Sequence, residues 1–384
     1  MTEVLRAALI GCGQRGRLTY LPVLTAMTEH FRLCAVCVPD ERRLAEASAQ
    51  YGVAGYRWIE NLLQAESPDV CVLAVTPPPA PENGRALLQC AQAGVPALAE
   101  TPIALTLAEA DRIVAAISRS GTVAEIAENY FRTPRERFKR ELLRAGLFGD
   151  VNVVYADFVG HGYHGISLLR SYVGFEQVVL TLWGDRHRYP AAELPGRGEG
   201  RRGEGRRGEG RAGNDELWQF GVLEFGNGAR GIFSFSTLSY HSPLRPRSRA
   251  EVRFLATRGM GVGDELTALR ADGTAGGLVI EPVLEPVQGI EVLAALIARG
   301  TDVTWENPLR RYPLPDGDQH GPLTIGLQLL ALHRAVTDGA GPEYGVSAAR
   351  YDRLIDLALQ RSWDTKAPVS LDDLDQPHLP SRAQ

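Results

Sequence analysis

The chain has 384 residues, 44% of them hydrophobic and 23% charged, and it carries a formal net charge of −5 at pH 7. This composition is typical of a globular protein in water, and the length exceeds what one hydrophobic core usually fills, so we expect two domains. The acidic balance argues against nucleic-acid partners and membrane surfaces, and the lack of any run of about 20 apolar residues argues against a transmembrane helix.

The first predicted element is a strand at residues 4–10, which runs directly into a glycine-rich turn at residues 11–16. A segment with helical spacing of leucines follows. A strand, a tight glycine turn and a helix in this order predict a dinucleotide-binding loop, in which bare backbone N–H groups at a helix N-terminus bind phosphates. A turn that serves packing alone is the alternative. The candidate cofactor-binding residues of this loop are Gly11, Gly13, Gln14, Arg15 and Gly16.

Strand and helix signals alternate up to residue 127, which predicts a doubly wound parallel sheet. Residues 70–75 are apolar or small throughout, as expected for a strand that is buried on both faces. The predicted strands are residues 4–10, 33–38, 55–57, 70–75, 97–100 and 123–127, and the predicted helices include residues 59–64, 83–93 and 107–118.

The pattern changes after a predicted helix at residues 135–145. Long alternating strands then predict a C-terminal α+β domain with a large, mostly antiparallel sheet, in which Asn227-Gly228 forms a hairpin turn. The predicted strands are residues 151–158, 177–183, 218–225, 229–237, 250–256, 265–270 and 278–283, and the closing helices are residues 323–338 and 347–362.

Residues 196–213 repeat a five-residue unit of arginine, glycine and glutamate with almost no apolar side chain. Such a segment buries nothing, so we predict a disordered insertion in a surface loop. A contact with nucleic acid or a partner is the alternative, although each unit also carries a glutamate.

The N-terminus and the cysteines indicate a cytoplasmic protein. The chain begins Met-Thr-Glu-Val without a basic segment, so we expect no signal peptide. Five cysteines lie within the first hundred residues, and their odd number favours free thiols. Cys34 and Cys37 would point to opposite faces of a strand, so we expect no metal or redox site there.

Six motifs occur in a fixed order along the chain. They are the glycine turn at 11–16, Thr76-Pro77-Pro78, and the segments 94–102, 143–151, 162–170 and 225–228. In this order and spacing, residues 4–365 resemble the Gfo/Idh/MocA family, the glucose–fructose oxidoreductase and inositol dehydrogenase group. The resemblance implies hydride transfer between NAD(P) and a sugar or polyol. It also implies an open sheet that often mediates oligomers, so we expect a homo-oligomer, dimer or tetramer.

The resemblance also implies that different segments of the chain form domains with different functions. We expect a dinucleotide-binding Rossmann domain over residues 1–127 and an α+β domain for substrate binding and oligomerisation over residues 128–365. Residues 366–384 would form a tail.

The departures from the family pattern fall at the catalytic centre. The family has Glu-Lys-Pro where this chain has Glu100-Thr101-Pro102, so the lysine that polarises the substrate oxygen is replaced by threonine. Two aspartates that flank the family's histidine correspond to Gly160 and Ser167. The acidic residue that holds the adenosine ribose corresponds to Val38.

His164 remains at the histidine position and is our candidate for the proton carrier, because a reference pKa near 6.5 suits proton transfer at neutral pH. A histidine that only caps or packs is the alternative. Tyr163 and His161 flank it and are candidate donors, although adjacent helical residues do not share a face. The hydroxyl of Thr101 is a candidate to hold a water or substrate oxygen.

The resemblance assigns Glu100 to the nicotinamide ribose and the loop of Thr76, Pro77 and Pro78 to the space under the cofactor. Asp40 and Arg42 are candidates near the adenosine ribose, and because no acid stands at residue 38, an arginine there favours NADP slightly over NAD. Weaker pocket candidates are Glu128, Asn129, Tyr130, His241, Arg245, Arg247 and His320, the last four expected from the second domain.

The leading hypothesis is an NAD(P)-dependent oxidoreductase acting on a sugar, a polyol or a small carbonyl or imine compound, since the cofactor carries the hydride chemistry. A redox-neutral lyase that uses transient oxidation is a second hypothesis. A cofactor-binding sensor or subunit without catalysis is a third, because the lysine and both aspartates are absent.

Overall fold

The structure is a computed structural model that describes residues 3–75, 82–157, 159–160, 162–190, 215–237 and 251–375. The predicted repeat insertion lies outside the described residues. By contacts the chain divides into two compact units, one of residues 1–137, 281–297 and 304–351 and one of residues 138–280, 298–303 and 352–384.

The first unit is built on a six-stranded parallel sheet with strand order β3-β2-β1-β4-β5-β6. Strand order reverses between β1 and β4, which is where ligands bind in open α/β sheets. The strands are β1 (Leu5–Ile10), β2 (Phe31–Cys37), β3 (Ala54–Tyr56), β4 (Val70–Leu73), β5 (Ala97–Ala99) and β6 (Ala124–Ile126).

Helices follow these strands, and two of them begin or end at residues that local chemistry favours. Thr106 and Glu109 form a capping box at the start of α5, and Gly52 and Gly121 end α2 and α5 in the left-handed conformation. The helices are α1 (Leu21–Ala26), α2 (Glu41–Tyr51), α3 (Ile59–Glu66), α4 (Glu82–Gln92), α5 (Leu107–Ser120) and α6 (Pro134–Arg144).

A helix from far along the chain completes the first unit. This helix, α8 (Pro322–Thr337), packs on α1, β5 and β6. It is apolar on nearly all sides, as a helix inside a core should be. Its position brings residues around 320 to the parallel sheet, which no sequence pattern indicated.

The second sheet has eleven strands in the order β16-β15-β14-β13-β12-β11-β7-β10-β9-β8-β17 and is antiparallel except where β10 runs parallel to β7. The predicted hairpin turn joins β9 and β10 at Asn227-Gly228. The strands are β7 (Val151–Asp157), β8 (Val179–Pro190), β9 (Asp215–Phe225), β10 (Arg230–Ser236), β11 (Glu251–Ala256), β12 (Gly259–Val262), β13 (Glu265–Leu269), β14 (Ala275–Val287), β15 (Ile290–Arg299), β16 (Thr304–Glu306) and β17 (Val369–Ser370).

Within the second unit, α7 (Tyr163–Val173) packs on β7 and β10. The remaining helices are α9 (Val346–Thr365) and the short α10 (Asp372–Asp375). The predicted fold class, a Rossmann domain followed by an α+β domain with a large antiparallel sheet, is confirmed. All five cysteines are free thiols. Across the residues that the structure describes, each helix is too short or too polar to cross a lipid bilayer.

Candidate functional site

Two glycine positions in the turn after β1 have no room for a side chain. Gly11 has φ +100°, and a Cβ built on it would lie 2.5 Å from the carbonyl oxygen of Ala74. A Cβ on Gly16 would lie 1.8 Å from the carbonyl oxygen of Gly11. Both positions therefore require glycine, the first for backbone conformation and close approach to β4, the second for packing of the helix start against the turn.

The helix that follows begins irregularly. Residues Gly16–Tyr20 form a π-helical turn before α1, and such turns are frequent at functional sites. The extra residue in this turn rotates the side chains around the axis, so Leu18 is exposed while Tyr20 and Leu21 are buried. Tyr20 consequently points inward, beneath the guanidinium of Arg15, whose Cζ lies 5.6 Å from the ring centroid.

Glu100 follows β5 at the same edge of the sheet, because its backbone N–H binds the carbonyl of Leu73 at the end of β4. One carboxylate oxygen, Oε1, accepts from Arg15 Nε at 2.5 Å and from the Tyr20 hydroxyl at 2.7 Å. Burial and the Glu100 charge raise the pKa of Tyr20 well above its usual value. Burial lowers the pKa of Arg15, but the charges and hydrogen bonds of Glu100 and Tyr20 together outweigh burial, so the pKa stands above the ordinary value.

His320 belongs to the same cluster. Its Nδ1 lies 2.9 Å from Arg15 Nη1 and 3.1 Å from Asn129 Nδ2. The backbone N–H of His320 binds Oδ1 of Asp318, which fixes the chain just before α8 begins. From its position in the sequence, His320 is expected in the second domain, whereas the structure places it in the first compact unit.

Buried polar groups surround the cluster. Glu128 follows β6 and is fully buried, and burial raises the pKa of its carboxyl to about 8, so it is mostly protonated at neutral pH. Among the described residues, Asn129 Oδ1 and Gln328 Nε2 are buried polar atoms without a hydrogen-bond partner. Such atoms are uncommon in native proteins.

The structure shows where several other cofactor candidates lie, and their roles in cofactor binding stay predictions. Asp40 caps α2 by accepting from the backbone N–H of Arg43 at 2.8 Å, and Arg42 pairs with Glu46 one turn along. Both are exposed. Gln14 is exposed in the glycine turn, and Val38 is buried. Thr76, Pro77 and Pro78 lie outside the described residues, as do His161, His241, Arg245 and Arg247.

The catalytic candidates are divided between the two units. Thr101 is half-buried directly after Glu100, and its bond to Pro102 is cis. Tyr163 and His164 are half-buried in the first turn of α7, with ring centroids 4.3 Å apart, so these neighbours do contact each other. Ser167 donates to the backbone carbonyl of His164 at 2.9 Å.

Sequence reasoning missed Tyr20 and Gln328. Tyr20 resembles an ordinary apolar position of the first helix, and only the π-helical turn directs its hydroxyl to Glu100. Gln328 lies within an apolar helix some 200 residues beyond the sheet that it contacts, and no local pattern signals such a contact. Among the described residues, no group of three or more His, Cys, Asp or Glu side chains is arranged to hold a metal ion.

Two sequence comparisons find proteins that part of this chain resembles. Residues 5–127 match the model of an oxidoreductase family with an NAD-binding Rossmann fold, named GFO_IDH_MocA. A curated relative, D-apiose dehydrogenase from Paraburkholderia graminis, is 35% identical over 146 residues, which cover 38% of this chain and 37% of the relative.

Solved structures resemble the chain over almost its whole length. An oxidoreductase from Agrobacterium radiobacter in complex with NAD+, L-tartaric acid and magnesium superposes with a TM-score of 0.69 at 16% identity, covering 96% of this chain and 99% of the other. Aldose-aldose oxidoreductase from Caulobacter crescentus, complexed with glycerol, has a TM-score of 0.64 at 16% identity, covering 96% and 100%. At this identity the likeness establishes the fold.

Proposed function

We propose, from the match of residues 5–127 to the Gfo/Idh/MocA family model, that the protein is an NAD(P)-dependent oxidoreductase of this family. It transfers a hydride between nicotinamide and a carbon of a sugar, a polyol or a small carbonyl or imine compound. The observation that carries the proposal is the meeting of the glycine turn with Glu100 at one edge of the parallel sheet, through Arg15.

The residues at this edge fit a nicotinamide dinucleotide. Gly11 and Gly16 leave no room for side chains, and the helix that starts beside them has first-turn N–H groups without intrahelical acceptors, as a diphosphate requires. Glu100 is held by Arg15 and Tyr20 and would accept from the nicotinamide ribose with its second oxygen. The bound dinucleotide supplies or accepts the hydride.

We propose His164 as the proton carrier, with Tyr163 as a neutral donor beside it and Thr101 as a hydroxyl that holds the substrate oxygen. The contact between the Tyr163 and His164 rings supports a common role for these two residues. General acid–base catalysis by a positioned histidine typically contributes about 10²–10⁴-fold to the rate.

The cofactor preference is proposed to lean toward NADP. Arg42 is exposed, and its ion pair with Glu46 is of the i,i+4 type that contributes only about 0.3–0.5 kcal/mol, so a 2′-phosphate can replace the glutamate as its partner. Asp40, whose carboxylate caps α2, opposes this preference.

We further propose a cytoplasmic homo-oligomer, dimer or tetramer, in which residues 1–127 bind the cofactor and residues 128–365 bind the substrate and the partner copy. The large sheet exposes bulky apolar side chains. Leu255 and Met260, for example, are paired across β11 and β12 and are 40% and 42% exposed. Apolar sheet surface of this kind favours association with another copy.

A titration followed by a substrate screen tests the proposal. Purified protein is titrated with NADH and NADPH by nicotinamide fluorescence and calorimetry, and absorbance at the nicotinamide band then follows turnover. The panel contains D-apiose, other aldoses, polyols, small aldehydes and imines. We expect micromolar to submillimolar binding and turnover of a sugar or polyol. Lack of binding at millimolar concentrations refutes the proposal, whereas binding without turnover favours the non-catalytic hypothesis.

A further inference from the structure

A large aromatic side chain is exposed at the carboxyl end of β3. Trp58 follows this strand by two residues and is 55% exposed to solvent. It occupies the N-cap position of α3, where serine, threonine, aspartate and asparagine are preferred, and it makes no side-chain capping hydrogen bond. The helix therefore gains no cap from this residue, and the fold leaves more than half of a bulky apolar side chain in water.

Backbone hydrogen bonds between neighbouring strand ends relate Trp58 to the glycine turn. The N–H of Gly11 binds the carbonyl of Cys37, the last residue of β2, at 2.8 Å. The N–H of Val38 binds the carbonyl of Tyr56, the last residue of β3, at 3.0 Å. The carboxyl ends of β1, β2 and β3 therefore lie side by side. Trp58 follows the strand end that is two strand spacings, about 10 Å, from the glycine turn.

Side-chain contacts place the ring of Trp58 near the turn between β2 and α2. Cζ of Arg57 lies 5.8 Å from the ring centroid. Nη1 of the same arginine forms an ion pair with Oε1 of Glu41 at 2.5 Å. Glu41 is the first residue of α2 and directly follows Asp40, the N-cap of that helix. The guanidinium of Arg57 therefore links the ring to the start of α2, where we expect the adenosine ribose of the cofactor.

We infer that Trp58 binds the adenine of the dinucleotide by stacking its indole ring on the purine. The inference rests on the proposed function, which places the diphosphate on the glycine turn. A purine is flat and largely apolar on its faces, and stacking on an aromatic side chain removes such faces from water. NADH and NADPH carry the same adenine, so Trp58 contributes equally to the binding of both. Arg57 acts through the ring and is a positioning residue.

Nicotinamide fluorescence titrations of the full-length wild type, Trp58→Ala and Trp58→Phe measure this contribution. We expect Trp58→Ala to weaken the binding of NADH and of NADPH by the same factor, about 10-fold or more, because the stacking face is lost. Trp58→Phe keeps a smaller aromatic face and should retain most of the affinity. Val4→Ala is the control, since Val4 is 46% exposed at the opposite, amino end of β1, and it should bind as the wild type does.

A second readout separates stacking from a structural role. ADP-ribose carries the adenine without the nicotinamide, so it reports on the adenosine end alone. The chain has five tryptophans, and the difference in emission between the wild type and Trp58→Phe isolates Trp58. We expect saturating ADP-ribose to quench the emission of the wild type and to leave that of Trp58→Phe unchanged. Equal quenching of both proteins overturns the inference, because another tryptophan then meets the adenine.

The outcomes distinguish this inference from the proposed function. If the wild type binds NADH or NADPH and Trp58→Ala binds it with the same Kd, the inference is wrong and the proposed function stands. A lower melting temperature of cofactor-free Trp58→Ala, with affinity lost equally in Trp58→Phe, indicates a structural role and also overturns the inference. If the wild type binds neither dinucleotide at millimolar concentrations, the proposed function is refuted and the inference with it.

Discussion

Glu128 offers a quantitative test of the electrostatics of the site. The side chain is fully buried, and burial raises the pKa of its carboxyl from 4.5 to about 8 in the folded protein. Between these two pH values the folded state binds a proton that the unfolded state has released. The free energy of unfolding therefore falls as the pH rises through this interval.

The size of the effect follows from the shift. Each pH unit is worth about 1.4 kcal/mol, so the interval from 4.5 to about 8 corresponds to at most about 5 kcal/mol. Glu128→Gln has nearly the same shape as the protonated acid and never ionises. The variant keeps an amide oxygen to accept from the backbone N–H of Tyr130, as Oε1 does at 3.3 Å. We expect equal stability at pH 5 and a variant more stable by several kcal/mol at pH 9.

The assay is equilibrium urea unfolding of wild type and Glu128→Gln at pH 5, 7 and 9. Other titrating groups are common to both proteins, so the difference in the free energy of unfolding isolates Glu128. Glu46→Gln, an exposed carboxylate on α2, is the matched control and should differ from wild type by less than about 0.5 kcal/mol at each pH. If the difference between wild type and Glu128→Gln does not change with pH, Glu128 is ionised in the folded protein and the argument from burial is wrong.

Three further predictions concern the cofactor loop, the proton carrier and a buried histidine. Gly13→Val should abolish binding of NADH and NADPH in fluorescence titrations, because the valine side chain blocks the approach of the phosphates. The control variant Gly277→Ala, at a glycine with open space around it, should bind both nucleotides normally. Tight binding by Gly13→Val would mean that the turn is no phosphate site. His164→Ala should lower kcat by about 10²-fold or more without changing the Kd for the cofactor, and unchanged turnover would exclude His164 as the proton carrier. Burial lowers the pKa of His30 from 6.5 to about 4, so the unfolded state binds more protons than the folded state in that pH interval. The free energy of unfolding of the wild type should therefore fall by up to about 3 kcal/mol as the pH falls through the interval. In urea unfolding, His30→Gln should lack this dependence on pH.

The Rossmann sheet was predictable because its strands are short apolar runs that end at glycines, prolines or turns. The predicted strand at residues 97–100 and the observed β5 (Ala97–Ala99) differ by one residue. The large sheet was predicted less completely. β12 has four residues, two of them glycine, and β15 is an apolar run that suits a helix as well as a strand, so neither shows the alternation that indicates a half-buried strand.

The site was predictable only in part, for a different reason. Glu100 and the glycines are recognisable from their positions at strand ends, and Arg15 from its place in the turn. The contacts among these residues cannot be recognised from the sequence, because Arg15 and Glu100 are separated by 85 residues and Arg15 and His320 by 305 residues. Such contacts depend on the π-helical turn and on the packing of α8, which no local pattern of residues encodes.

The charge distribution of the described cluster bears on the class of substrate. Arg15 and Glu100 form an ion pair, and the pKa of Glu128 keeps that carboxyl mostly protonated at neutral pH. Paired and neutral groups offer directional hydrogen bonds but no excess charge to attract an anion. Neutral hydroxyl and carbonyl oxygens are the ligand atoms that suit such a set of donors and acceptors. The electrostatics of this cluster therefore favour a neutral sugar or polyol over a sugar acid as the substrate of the proposed reaction.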